Sequence, residues 1–423
     1  MVLAAAIDSG LLVEADKRVL LVSVNTPIPE VAVRPDRAPG IAPLLTRFDR
    51  VVSLNDLLAP LHPTAFRPRG SEQPLLARLL LGVDERSMLE LVIESVQAAP
   101  SRSLLHVFAT AEVTVYAEGL MSYGPTREPL PAEAASRIRR LLHLDLIRGL
   151  RPLLLTEWEV EAVPIPDGAF RAVVGEVRTA APPKRPEAPC ALVLGQYLAQ
   201  AGLLSRSRET ALYAGLVRAA AARGFGTVAF KPHPSAPAEA VQAVERAVRD
   251  MGVRFVVLRD PTPVEALYAA DPPDLVLGCF STGLVTGARY WGVPAVTAGV
   301  AEVLAALPRF EDSNRIPLAL VEQAFPTADG RSPAGSGTLQ AVAETVGYCM
   351  RWRTRGPWRV EAAAALRDRP ELFRHTVPIA RRRLLGLPGG LPVTVPPELF
   401  ERVSGTAERA WALRTAVRRR LGR

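Results

Sequence analysis

The sequence predicts an α/β fold: two Rossmann-like domains facing a cleft, followed by a helical C-terminal extension. Three observations carry this expectation. Short apolar runs of strand length alternate with amphipathic helical segments, a proline-rich stretch interrupts the alternation near the middle, and a later Gly/Ser/Pro-rich loop gives way to a helical pattern. A chain of 423 residues with 48% apolar side chains is long enough for two domains of ordinary size, each with its own core. The expected division is 1–180, 181–325 and 326–423.

The opening segment, Met1 to Leu12, reads as helix where such a domain normally begins with a strand, so an expected first strand is missing from this stretch. It lacks a basic leader and carries Asp8, which argues against a secretory signal. Arg18–Val24, Ser103–Phe108 and Glu112–Tyr116 read as short buried strands, and Pro131–Leu144 has helical spacing. Thr179–Pro189, with Pro182, Pro183, Pro186 and Pro189, reads as the linker between domains. The pattern then restarts. Strands are expected at Ala191–Leu194, Thr227–Phe230, Arg254–Leu258, Leu275–Leu277 and Val293–Thr297. Helices are expected at Glu209–Arg223, Ala238–Met251, Pro263–Ala270 and Thr282–Trp291. Pro326–Thr338 reads as an exposed loop and Val342–Arg353 as helix.

Composition excludes several classes. Three widely spaced cysteines, Cys190, Cys279 and Cys349, fit neither a disulfide framework nor a zinc site and point to a reducing compartment. No apolar run approaches the roughly 18 residues of a spanning helix. The net charge of +8 is concentrated at the end: Arg381 to Arg423 holds 10 Arg against 3 Glu, leaving a near-neutral body. Such an end is either a solvated Arg-rich helix face or a surface for anionic lipid. Nucleic acid is not an expected partner, because no aromatic-interleaved basic patch accompanies the charge. The expected location is cytoplasmic, with peripheral contact to the inner face of the membrane through the tail.

The residues that carry chemistry cluster at expected strand ends, where open α/β sheets bind ligands. Lys231, Pro232, His233 and Pro234 follow one strand and precede an amphipathic helix, which separates His233 from His62, a loop residue among prolines. The dipeptide alone proves nothing with 5 His and 39 Pro in the chain. Ser281 and Thr282 follow another strand and open a helix, where hydroxyls and unpaired N–H groups suit an anion; a plain N-cap explains them equally well in isolation. In the first domain Glu118 and Gly119 end a strand before a loop bearing Tyr123, and a carboxylate there can deprotonate a hydroxyl, although in isolation a solvated loop glutamate is the simpler explanation. Gly195 and Gln196 leave a strand toward the cleft, Gly195 permitting close backbone approach. Glu265 starts a helix and is within reach of a ribose hydroxyl, although charge at a helix N-terminus explains it too. P-loop, dinucleotide, zincin and nucleophile-elbow motifs are absent, so no metal or cofactor is expected.

In this order, Ala117-Glu118-Gly119, His233-Pro234 and Ser281-Thr282 resemble the motifs of the bacterial sialyltransferases, most closely the α-2,8-polysialyltransferase-like group: an acidic pair before glycine, a His-Pro pair after a strand, and a Ser/Thr motif further on. The resemblance spans roughly Arg18 to Pro317, and the first acid of the pair is Ala117 here. It implies a two-domain GT-B glycosyltransferase, inverting and metal-independent. The implied donor is CMP-sialic acid or a related CMP-sugar, and the implied acceptor a glycan or lipid-linked glycan. It further implies Glu118 as general base, with His233, Ser281 and Thr282 holding the donor phosphate; Lys231 beside His233 is expected to assist. The alternatives are a CDP-polyol phosphotransferase, which also uses His-Pro and Ser residues around CMP, and a catalytically silent nucleotide-sugar-binding relative.

Overall fold

The computed structural model describes residues 1–26, 29, 34–73, 75–76, 88–180 and 189–390. Of the expected linker, Thr179–Pro189, residues 181–188 lie outside the described residues, as does the basic tail beyond residue 390, while Thr179 and Ala180 end a helix.

The N-terminal half contains β1 (Val19–Val22), β2 (Arg50–Ser53), β3 (Glu90–Ile93), β4 (Glu112–Ala117), β5 (Ile138–Leu144) and β6 (Glu161–Ile165). Strands β3-β4-β5-β6 form one parallel sheet in sequence order, and β1-β2 form a separate parallel pair. Val113, Thr114 and Val115 are all buried, so β4 is covered on both faces, as a central parallel strand must be. Ile93 pairs with Val115, and the C-terminal ends of β3 and β4 therefore emerge side by side.

The second half contains β7 (Cys190–Leu194), β8 (Thr227–Lys231), β9 (Arg254–Val257), β10 (Leu275–Gly278) and β11 (Ala295–Thr297), all parallel, in the order β11-β10-β7-β8-β9. This is the doubly wound order, in which the winding direction reverses between β7 and β10 and opens a crevice at their C-terminal ends. The two α/β units face one another across a cleft in the GT-B arrangement, as expected.

Two N-terminal expectations are corrected. Ser103–Phe108 is not a strand: Ser101–Val107 is a helix whose Leu104 and Val107, with Phe108 just beyond its end, share an apolar cluster with Leu54, Phe66 and Ala111. A run of six residues is too short for periodicity to separate helix from strand. Pro131–Leu144 is only briefly helical, at Ala132–Ala135, and then becomes β5. Arg139 and Arg140 mimic the polar face of a helix, but they are cross-strand partners of Glu112 and Thr114 on β4. The remaining residues, Leu141 to Leu144, are buried.

The units also share a core. One apolar cluster runs from Leu120, Tyr123 and Leu142 of the first unit, through Phe170, Val173 and Val177 of the Asp167–Ala180 helix, to β7, β8 and β10. The first unit also holds two smaller clusters of its own, one around Val113 and Val115 and one around Leu54 and Phe66. Arg289, nearly buried, bridges the units by donating to Asp145 and Asp167. The C-terminal extension is a brace rather than an appendage. From the Leu339–Arg351 helix, Gln340 Oε1 accepts the Arg151 N–H (2.9 Å). Beyond it, Arg355 donates to the Leu153 carbonyl, Thr156 and Glu157 of the first unit. Among the described residues no helix is long and apolar enough to cross a membrane.

Candidate active site at the domain cleft

The cleft between the units encloses about 760 Å³ and brings together residues from both sheets. Its second-unit wall is built at the winding switch. Gly195 follows β7 and donates its N–H to the Lys231 carbonyl (2.8 Å). A Cβ there would lie 3.0 Å from both Phe230 Cζ and Pro232 Cα, so glycine is required by packing against β8 rather than by an approaching ligand. Gln196 links the two strand ends, its Oε1 accepting the Phe280 N–H beyond β10 (3.1 Å). Its own N–H donates to the Tyr213 hydroxyl (2.6 Å), which stands 2.9 Å from Glu209 Oε1. Buried Glu209 also accepts the N–H groups of Leu198 (2.7 Å) and Ala199 (3.1 Å). Residues 195–199 are thereby held by a carboxylate and a phenol that the sequence motifs did not flag.

Ser281 caps the Thr282–Trp291 helix, its Oγ accepting the Gly283 N–H (3.2 Å), and Thr282 turns toward the opposite wall. His233 packs against Tyr197 with ring centroids 4.3 Å apart. The Ser235 N–H donates to its Nδ1 (3.1 Å), so the neutral ring carries its proton on Nε2. Burial holds the imidazole below its ordinary pKa, which keeps it neutral at physiological pH. His62, by contrast, caps a short turn near Thr64 and Thr26 and is not among the residues lining the cleft.

Not every expected site residue faces the cleft. Lys231 turns its ammonium to the Asp260 carbonyl (2.7 Å) and is not in the lining, although burial lowers its pKa; Pro234 is exposed and also outside the lining. Glu265 lines the cleft, but its Oε1 is occupied by the Thr286 hydroxyl (2.9 Å). Burial is the main cause that raises its carboxyl pKa, and the Glu118 charge adds to the effect.

The first-unit wall carries Glu118 and Gly119 after β4 and Glu94 after β3. Gly119 is extended, so its requirement is space: a Cβ would lie 3.1 Å from Thr282 Oγ1. This contact sets the acid-glycine motif of one unit directly against the Ser/Thr motif of the other. Glu94 opens to the cleft, yet enough protein surrounds it that desolvation, reinforced by the Glu118 charge, pushes its carboxyl above the usual range. The same wall presents Arg127, and among the described residues no carboxylate pairs with it. With its amide turned to satisfy both partners, Gln97 Oε1 accepts the Arg127 (2.7 Å) and Glu128 (3.0 Å) N–H groups and fixes that loop. Glu94 went unflagged although it follows an apolar run, Leu91-Val92-Ile93, much as Glu118 follows β4.

Two parallel α/β units around a polar cleft, with carboxylates on one wall and hydroxyls, a helix N-terminus and a neutral imidazole on the other, form the frame of a GT-B glycosyltransferase. The family model described as Alpha-2,8-polysialyltransferase (POLYST) matches residues 1–300, and the chain belongs to this family of glycosyltransferases. MurG from Acinetobacter baumannii is similar over 82% of this chain and 94% of that one, with 12% identity and a TM-score of 0.39. A glycosyltransferase from Rickettsia africae ESF-5 is similar over 85% of this chain and 100% of that one, with 9% identity and a TM-score of 0.35. No curated protein matches the chain.

Proposed function

We propose that the protein transfers sialic acid or a related nonulosonate from a CMP-activated donor to a glycan or lipid-linked acceptor, with inversion and without a metal. Residues 1–180 form the acceptor side, 181–325 the donor side, and 326–423 the bracing extension and basic tail. The observation that carries this reading is the meeting of Gly119 and Thr282 in a cleft that His233 also lines. Glu118 takes the proton as the acceptor O–H bond breaks, and the oxygen pair forms the new bond at the anomeric carbon. The bond from that carbon to the phosphate oxygen breaks on the opposite face, and its electrons leave with CMP. The developing phosphate charge is met by His233 Nε2–H and by the N-terminal groups of the Thr282–Trp291 helix, donors that require no reorganisation. Gln196 holds the donor loop, and Glu265 is assigned a ribose hydroxyl.

Thermal-shift measurements with a nucleotide panel test the donor. CMP is expected to stabilise the protein by RT ln(1 + [L]/Kd), whereas UDP and ADP are not, and stabilisation by UDP alone would overturn the assignment. The Arg-rich end is proposed to hold the protein at an anionic, cytoplasm-facing membrane surface. Sedimentation with anionic vesicles at low salt, with and without residues 410–423, tests that separately, each Arg being worth about 1 kcal/mol at such a surface.

A further inference from the structure

Position 117 offers the cleft only a methyl group, packed on the cluster that includes Ile93, Val113 and Val115. The adjacent strand supplies what that position lacks. Because Ile93 pairs with Val115, Glu94 leaves β3 at the sheet edge where Glu118 leaves β4, and both side chains line the same wall. Neither is held by a cation or a capped N–H among the described residues. This differs from the carboxylates of the facing wall, where Glu209 accepts two backbone N–H groups and Glu265 a hydroxyl. The charged and titratable groups around the pair are Tyr116 from β4, Arg127 from the following loop, the Met1 amino group, and His233 and Glu265 across the cleft.

We propose that Glu94 is a further catalytic residue, forming with Glu118 a carboxylate pair that binds the acceptor hydroxyl and receives its proton. The inference rests on the transfer reaction proposed above and deepens its acceptor side. The acceptor O–H bond breaks, its proton passes to the pair, and its electron pair forms the bond to the anomeric carbon while CMP departs with the electrons of the broken bond. Two neighbouring carboxylates disfavour full ionisation of both, so one member is a proton acceptor at a pH where an isolated carboxylate is already a weak base. The raised proton affinity of Glu94 in the presence of Glu118 agrees with this arrangement.

The test compares wild type, Glu94→Gln, Glu94→Asp and Glu118→Gln in kcat/KM for transfer from CMP-sialic acid as a function of pH, with CMP thermal shifts on the same samples. Glu94→Gln is expected to lower kcat/KM roughly tenfold or more and to move the acid limb to lower pH, because the remaining carboxylate ionises without a like-charged neighbour. Glu94→Asp should restore part of both. CMP stabilisation should be unchanged in every variant. A Glu94→Gln enzyme with wild-type rate and an unmoved acid limb overturns the proposal and leaves Glu118 alone as base. If CMP fails to stabilise the wild type, the donor reading falls instead, and the pair is judged by carboxyl NMR of glutamate-labelled protein. There, a Glu94 midpoint that drops in Glu118→Gln supports the coupling, and an unmoved midpoint overturns it.

Discussion

The two walls of the cleft treat their polar groups in opposite ways. On the wall built from β7, β8 and β10, the polar groups are largely engaged already: Gln196 with Tyr213 and the Phe280 N–H, Glu209 with two backbone N–H groups, Ser281 with its own helix, and His233 with the Ser235 N–H. On the wall built from β3 and β4, Glu94, Glu118 and Arg127 stand without ionic partners among the described residues. A wall whose hydrogen bonds are set before binding suits a constant ligand part, since it loses little freedom when the ligand arrives. Unpaired charge suits the side where a proton must move, because a carboxylate already tied to a cation is a poor base.

The largest effect should come from the open wall. Glu118→Gln preserves shape and removes a proton acceptor, and transfer should fall by roughly 10²–10⁴-fold while CMP stabilisation persists. An unchanged turnover rate would show that the unpaired carboxylates of this wall are solvated rim residues, and the contrast between the walls would lose its meaning. Next is His233→Ala, which removes one preset donor and should lower kcat by about 10²-fold, the usual scale for such a group. His62→Ala is the control, as its ring lies away from the cleft. Equal losses in both variants would remove the basis for assigning His233 to the leaving group.

The second unit was far more legible in the sequence than the first. Its five strands and intervening helices follow the expected order, because the apolar runs are short, bounded by turn residues and separated by helical segments, of which Ala238–Val248 is clearly amphipathic. The first unit misleads where β5 carries Arg139 and Arg140 in cross-strand pairs, and where the short run at Ser103–Phe108 closes into a helix. At the cleft, Glu118, His233, Ser281 and Thr282 were legible as motif residues at strand ends. Glu94 was not, because its link to Glu118 lies in the register of two parallel strands separated by a helix. The Glu209–Tyr213 clamp was hidden for a similar reason: on the Arg206–Ala221 helix the two look like an ordinary i, i+4 pair until their contacts to Gln196 and Leu198 are seen.

That clamp provides a test in stability rather than rate. Glu209→Ala strands the N–H groups of Leu198 and Ala199, a loss of about 2–3 kcal/mol on the scale of hydrogen bonds to charged groups. It should also weaken CMP binding by loosening Gln196. Chemical denaturation and CMP titration of the same variant read the two effects. If stability falls and CMP affinity does not, the wall is rigid for folding alone and its preset bonds have no bearing on the donor.

The smallest expected effect is at Glu265, and its sign makes it informative. Glu265 is the closed-wall carboxylate whose pKa is raised by burial, despite its hydrogen bond from Thr286. A carboxyl with a folded pKa above its unfolded value contributes stability while protonated, at pH below the unfolded value, and loses it as pH rises through the folded value. Glu265→Gln keeps an oxygen for the Thr286 hydroxyl and removes the ionisation. The variant should therefore gain on the wild type in unfolding midpoint as pH rises from about 4 to about 8, by less than the loss at Glu209. A midpoint difference that stays constant with pH, or moves the other way, would mean that the ionised carboxylate is favourably held in the closed wall. Glu265 would then belong with Glu94 and Glu118 as a working charge of the cleft, and the division between a committed wall and an open one would have to be redrawn.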